Sequence, residues 1–575
     1  MMKKSVCTLS CSNILSLLFI FSLFSCVDKN GAELIIINGK IYTVSNGYAE
    51  GDALVIRDGK IDLITDSREI EKYSGKKTEV IDAGENFIMP GFIEGHGHFS
   101  GLGYSLLNLN FINSRSWEEI VSMVEEKVKT AQPGEWIIGR GWHQEKWDSV
   151  PFNNVLGYPF HKELSQVSPN NPVVLRHASG HSLFANKKAM DEAGVNIETP
   201  NPPGGEVVRS ADGEAIGVFE ERAMRIVNEA LFEYQNGLSQ EERLQEWYKA
   251  IELAQEECLK KGVTSFQDAG SSFEELERYH KLAKDKKLNI RLWVMARHNS
   301  ATLEGNVGQH RIIGAGDNFY TCRSIKSEVD GALGAFGAWL IEPYTDKPDF
   351  HGQNTTDIYE VKKIADIAMA NEMQLCVHAI GDRANKVVVD IFEGTIGQTA
   401  NKDHRWRIEH AQHLDTSDIP RFKELNIIAS MQGIHCTSDA PFVEKRLGKA
   451  RAQFGSYPWR TLLDHGVIIA NGTDAPVEDV DPIPSFYASV TRKRLDTGYA
   501  FYPEQSMSRE EAIYSYTLGN AFAAFEENVK GSIEVGKVAD LIILSNDLIR
   551  CSDEEIPETS ILYTIVNGKV KFKKK

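Results

Sequence analysis

The sequence predicts an α/β protein: a (β/α)8 TIM-like barrel, a small composite β-sandwich drawn from both chain ends, and a large insertion after the first barrel strand. Three observations predict it. Eight short apolar runs recur between amphipathic helical stretches in the middle of the chain, the pattern of alternating βα units. Both ends read instead as short strands joined by Asn-Gly or Asp-Gly turns. Polar residues fall repeatedly at the C-terminal ends of the apolar runs, where a barrel carries its chemistry.

The elements follow in chain order. Lys3 and Lys4 precede an apolar run from Ile14 to Phe24 that is short for a permanent membrane span. It ends in Leu23-Phe24-Ser25-Cys26, which resembles the lipobox of bacterial lipoproteins. Residues 1–25 are therefore expected to be a signal peptide and Cys26 the lipidated first residue of the mature chain; the alternative is a plain signal peptide with an incidental cysteine. No later stretch reads as transmembrane, so the expected location is the bacterial cell envelope, periplasmic or at the cell surface. Membrane contact would then be through the lipid anchor only.

Residues 27–88 and 525–575 are assigned to the sandwich. Leu34–Ile37 and Lys40–Val44 flank Asn38-Gly39, Ala53–Ile56 and Lys60–Ile64 flank Asp58-Gly59, and Ile561–Val566 ends at Asn567-Gly568. Residues 89–103 and 246–524 are assigned to the barrel. Its runs are Phe87–Ile93, Val263–Phe266, Ile290–Met295, Ser324–Lys326, Gln374–His378, Trp406–His410, Ile427–Met431 and Val467–Asn471. The gap between the first two runs is far longer than a crossover needs, so 104–245 is read as an insertion capping the catalytic face.

Composition narrows the function. A net charge of −18 argues against nucleic acid, which needs a concentrated basic surface. Cys258, Cys322, Cys376, Cys436 and Cys551 are scattered and odd in number, so neither a disulfide framework nor a structural zinc cluster is expected. The expected partner is a small-molecule substrate, and a homodimer is compatible with the chain.

His96 and His98, spaced i and i+2, would share one face of an extended strand and could chelate one metal. His378 ends the fifth run, His410 ends the sixth, and Asp474 follows the eighth. Imidazoles and a carboxylate at one end of successive strands suit a zinc-like divalent ion with an open water position.

These motifs carry a resemblance. PGFIEGHGH (90–98), GVTSFQDAG (262–270), VHAIGDRANKVVVD (377–390), RIEHAQHL (407–414), NGTDAPVEDVDP (471–482) and GSIEVGKVADLIIL (531–544) are similar to the amidohydrolase superfamily, in particular its family 3 branch that includes N-substituted formamide deformylases. The resemblance implies that His96, His98 and Asp474 hold one ion and that His378 and His410 hold a second. Lys326 falls where related enzymes place a carbamylated lysine bridging both. The alternative for Lys326 is an ordinary lysine paired with Asp330 or Glu328 beside a single metal. Zinc is expected first, with iron, manganese or cobalt accepted by the same donors.

The implied activity is hydrolysis of a non-peptide C–N bond by metal-activated hydroxide, with Asp474 moving the proton to the departing amine. A cyclic amidase or deaminase on the same scaffold is the alternative among enzymes, and a catalytically silent surface binding lipoprotein the alternative outside them. In the insertion, Trp136–His143 and Val174–His181 offer His143, Arg176, His177 and His181 as substrate-binding candidates. His413 and His435 are read as supporting or loop residues, and Thr517–Ala521 as a packing helix.

Overall fold

The computed structural model describes residues 31–575 except 112–113, 143, 145–146, 178–181, 203–204, 335 and 398–402. The expected signal peptide, Cys26, His143 and His181 lie outside the described residues.

The barrel strands are β1 (Phe92–Gly97), β2 (Val263–Ser271), β3 (Arg291–Ala296), β4 (Tyr320–Glu328), β5 (Gln374–Ala379), β6 (Arg407–His410), β7 (Ile428–Gln432) and β8 (Ile469–Gly472). Each pairs in parallel with the next. All eight expected runs contribute a strand. The first run needs a correction, because it divides at Gly91: Phe87–Pro90 belongs to a different sheet, and only Phe92 onward enters the barrel. The barrel helices begin where the sequence supplies caps. Ser239 with Glu242 and Ser272 with Glu275 form reciprocal capping boxes at Gln240–Lys260 and Phe273–Lys284.

The ladder order runs from β8 through to β1 without direct pairing between those two strands. Asn520 bridges the seam. Its Nδ2 donates to the carbonyls of Ile93 (2.6 Å) and Asn471 (2.7 Å), while its Oδ1 accepts from the Asn471 amide (3.1 Å). Glu94 adds a second bridge, accepting from the Thr473 amide at 2.7 Å and its hydroxyl at 3.0 Å. There is no room here for side chains. A Cβ on Gly95 would lie 2.5 Å from the Asn471 carbonyl oxygen, and one on Gly472 would lie 2.3 Å from Glu94 Oε1. Thus the helix read as packing also closes the barrel.

Past the strand ends the backbones do join: the Asp474 amide donates to His96 O (2.8 Å) and the His98 amide to Ala475 O (2.7 Å). The closure therefore places the histidine pair directly against Asp474.

Two further sheets lie at the chain ends. One holds Lys60–Thr65, Ala53–Arg57, Leu34–Ile37 and Glu79–Asp82. The other holds Lys40–Ile41, Phe87–Pro90, Leu541–Leu544, Ile561–Val566 and Lys569–Lys573. Leu34, Ile36, Leu54 and Ile56 share a buried cluster with Ile88, Leu541, Ile543 and Ile565. Asp58-Gly59 makes the expected hairpin, with both residues at positive φ and Arg57 opposite Lys60. Asn38-Gly39 does not: Leu34–Ile37 pairs with Ala53–Arg57 and Glu79–Asp82, whereas Lys40–Ile41 pairs with Phe87–Pro90. The turn is a corner between sheets. Buried Arg291 at the start of β3 ties the C-terminal segment to the barrel through Asp540 at 2.7 and 3.1 Å.

Between β1 and β2 the chain forms a six-stranded sheet from Leu109 to Glu221 with apolar clusters on two sides. The helices that border it, Phe99–Leu107 and Gln240–Lys260, pack on each other so closely that a Cβ on Gly103 would lie 2.1 Å from Ala250 O. Among the described residues no helix is long and apolar enough to cross a membrane.

Candidate metal centre

The C-terminal ends of five strands, with the turns that follow β1 and β8, deliver the candidate ligands to one place. His96 lies in β1, and His98 caps the next helix in extended backbone conformation. Donor atoms of His96, His410 and Asp474 all lie within 4.8 Å of one another, and all three residues are buried. His98 Nε2 is 3.4 Å from Asp474 Oδ1, and His96 Nε2 is 3.6 Å from it. Lys326, 3% exposed at the end of β4, brings Nζ to 3.5 Å from His96 Nε2. The His378 ring meets the His410 ring edge-on at 4.4 Å between centroids, with Nε2 facing Asp330 Oδ1 at 3.7 Å. All six sequence-derived candidates are therefore neighbours.

Backbone strain marks the same place. His410 and Asp474 have φ of 73° and 60°, left-handed conformations that cost non-glycine residues roughly 1–3 kcal/mol each. Among the described residues, Asp474 Oδ1 is buried without a hydrogen-bond partner, as is His378 Nε2. A carboxylate oxygen orphaned among imidazoles is expensive unless a cation completes it, so the donor set fits a divalent metal.

Charge supports the fit. Burial pushes the Asp474 carboxyl up, but His98, His96, His410 and His435 outweigh burial and hold it well below the usual range. Burial, reinforced by Lys326, lowers His96 to about 4 and His378 to about 3. His410 is pushed well down by burial and then by His378 and His96. These imidazoles are neutral at pH 7, the form that binds metal.

A family model for amidohydrolases matches residues 79–572. The chain belongs to the amidohydrolase family. It is 30% identical to Protein LONG AFTER FAR-RED 3 of Arabidopsis thaliana, over 94% of this chain and 91% of that one. It is 26% identical to an N-substituted formamide deformylase of Arthrobacter pascens, over 94% of this chain and 98% of that one. Among solved structures, an uncharacterized metal-dependent hydrolase from Pyrococcus horikoshii superposes with a TM-score of 0.72 at 27% identity, covering 91% of this chain and 99% of its own. The protein is a hydrolase of this family, with a His/Asp group at the barrel mouth that could hold a metal ion.

Several residues of this amidohydrolase site escape sequence reasoning. Glu409 hydrogen-bonds His96 Nδ1. Arg407 grips Glu409 at 2.7 and 3.0 Å and also donates to Gly95 O (2.7 Å) and Ser430 Oγ (2.8 Å). His410 Nδ1 pairs with Gln432 Oε1 at 2.7 Å. Carboxylate and amide partners of this kind set ring orientation and ligand basicity. The available signal was two charged residues, i and i+2, in the short run Trp406–His410, where Trp406 and Ile408 alternate with them.

Lys326 takes neither acidic partner open to it. Glu328 pairs with Arg297, while Asp330 accepts the amides of Trp339, Ile380 and Gly381 at 2.8, 2.9 and 2.8 Å. In the insertion, His177 packs edge-on against Trp142 and shares a 3.1 Å hydrogen bond with Gln144, and Arg176 donates to Asn228 Oδ1 at 3.1 Å. These contacts stay within the insertion. Among the described residues, Arg140 of the insertion reaches the segment after β8, where its Nη1 donates to Pro476 O at 3.3 Å.

The lowered histidines predict a pH dependence. Their folded pKa values lie below the ordinary value near 6.5, so their contribution to stability is complete above about pH 6.5 and is lost as pH falls through the folded values. Metal-free protein should lose unfolding free energy as the pH is lowered from about 6.5 toward 4, and His378→Asn should flatten that slope. An identical slope in the variant would show that the His378 environment has been misread.

Proposed function

We propose that this protein cleaves a non-peptide C–N bond in an amide, formamide or N-acyl compound with the help of two divalent ions, zinc first among them. The observation that carries the reading is the convergence of His96, His410 and Asp474 donor atoms within 4.8 Å at the mouth of the barrel. In this reading His96, His98 and Asp474 would hold one ion, His378 and His410 would hold the other, and Lys326, carbamylated, would supply an anionic ligand to the pair. Burial pushes the Lys326 amine down, toward the neutral form that reacts with carbon dioxide.

When bound, the ions supply an acidified water and polarise the substrate carbonyl. Asp474, ionised and seated between His96 and His98, takes the proton and returns it to the departing amine, which would otherwise leave poorly. The Arthrobacter relative, named for formamide deformylation, supports the substrate class. The test is a screen of metal-loaded protein against N-formyl, N-acyl and cyclic amides, with carbon-13 bicarbonate NMR for the carbamate. Turnover on N-formyl or N-acyl compounds is expected; turnover confined to cyclic amides or aminated rings would replace this reading.

We further propose that the mature body is held at the bacterial envelope by a lipid on Cys26. Cys26→Ala should move the protein from the membrane fraction to the soluble one, and unchanged fractionation would sink the anchor.

A further inference from the structure

Two histidines beyond the ligand set lie near the site, and they differ. His413 is spoken for at both ring nitrogens, with Ser456 Oγ 2.9 Å from Nδ1 and Gln412 Nε2 3.2 Å from Nε2. His435 is 9% exposed, and its Nε2 is buried with no hydrogen-bond partner among the described residues. Leaving such a group unsatisfied costs roughly 1–3 kcal/mol, which a fold tolerates where a ligand completes the bond.

The position of His435 is well held. It sits in the short helix Gly433–Ser438 directly after β7, on the face that carries the metal site. The Gly433 amide donates to Asn471 Oδ1 at 3.0 Å, and the Ile434 amide to Ser485 Oγ at 3.0 Å. Its ring lies parallel to that of His410, 13° apart in plane and 6.2 Å between centroids. Two acids lie near it: Asp474, whose carboxyl it helps to hold low, and Asp439, whose Oδ2 already accepts from Tyr457 OH at 2.6 Å and Gln412 Nε2 at 2.9 Å. His435 lies outside the group of donor atoms that His96, His410 and Asp474 form. It stands one ring beyond His410, at the same end of the barrel as the candidate ligands.

We propose that His435 is a catalytic residue of this site, donating a hydrogen bond from Nε2 to the carbonyl oxygen of the substrate. The inference rests on the hydrolase reading above and adds the residue that grips the oxygen. The proton stays on Nε2 throughout, and the bond strengthens as the carbonyl oxygen gains negative charge during attack, which is how a preorganised donor lowers a barrier. The short helix after β7 would thus supply the donor, while β1, β5, β6 and the turns after β1 and β8 would supply metal ligands.

The experiment compares wild type, His435→Leu and His435→Gln as metal-loaded proteins; glutamine places an amide N–H near the position of Nε2. His435→Leu should lower kcat by about 10²- to 10³-fold with little change in KM, metal content or thermal unfolding. His435→Gln should regain part of that loss. Calorimetry with inorganic phosphate, whose oxygens stand in for the charged oxygen, should show weaker binding by His435→Leu. If no screened compound is hydrolysed, the hydrolase reading fails, and the phosphate arm still tests His435. Full activity or unchanged phosphate binding in His435→Leu would overturn the proposal. So would loss of metal from both variants, which would make His435 a ligand instead.

Discussion

Asp474→Asn should lower kcat by about 10²- to 10⁴-fold, the range that a positioned proton donor and acceptor supplies. Asparagine preserves the size of the side chain and one oxygen for a metal, but it cannot carry a proton from water to amine. The magnitude follows from the residue's setting. Its carboxyl is nine-tenths buried among imidazoles and held well below the usual range, and its backbone N–H donates to His96 O at 2.8 Å. Metal analysis separates the two duties of this residue. Metal retained with turnover lost assigns Asp474 the proton; metal and turnover lost together make it a ligand first. Turnover within tenfold of wild type would remove it from the chemistry.

The second large effect is on stability. Arg407 and Glu409 are both fully buried and pair through two hydrogen bonds, with burial opposing each charge and the partner restoring it. Arg407→Met strands the carboxylate in the barrel core, at an expected cost of roughly 3–5 kcal/mol. Glu409→Gln should be milder in stability. It releases His96 from its orienting partner, however, and should weaken metal binding by about 10- to 100-fold. Denaturant unfolding and metal titration of the two variants check both values. If Arg407→Met is neutral, the pair contributes nothing to the folded barrel; if Glu409→Gln binds metal normally, His96 needs no such support.

Much of this site was legible because barrel ligands leave a periodic trace. His378 and His410 sit at or near the ends of short buried strands, and the spacing of His96 and His98 is a one-face pattern. What was not legible depends on packing between distant segments. Arg407 and Glu409 become a positioning pair only when β6 faces β1. Asn520 becomes a strap only because β1 and β8 do not ladder directly. The break at Gly91 is invisible in a run that is apolar on both sides of it. Asn38-Gly39 misleads for a related reason: Asn38 is left-handed but Gly39 is not, so the pair serves a corner between sheets, and which turn forms is decided by pairing partners far along the chain. His435 is silent in the sequence because a lone histidine after a strand carries no signal until its unpaired nitrogen is seen beside His410.

The central claim is that the strand ends build a metal-dependent hydrolytic centre. Elemental analysis of the purified protein, read together with hydrolysis in the amide screen before and after chelation, tests it most directly. Two divalent ions per chain are expected, with activity lost on chelation and restored by metal and bicarbonate. A chain that binds no divalent metal, and stays inactive after metal and bicarbonate are supplied, would contradict it.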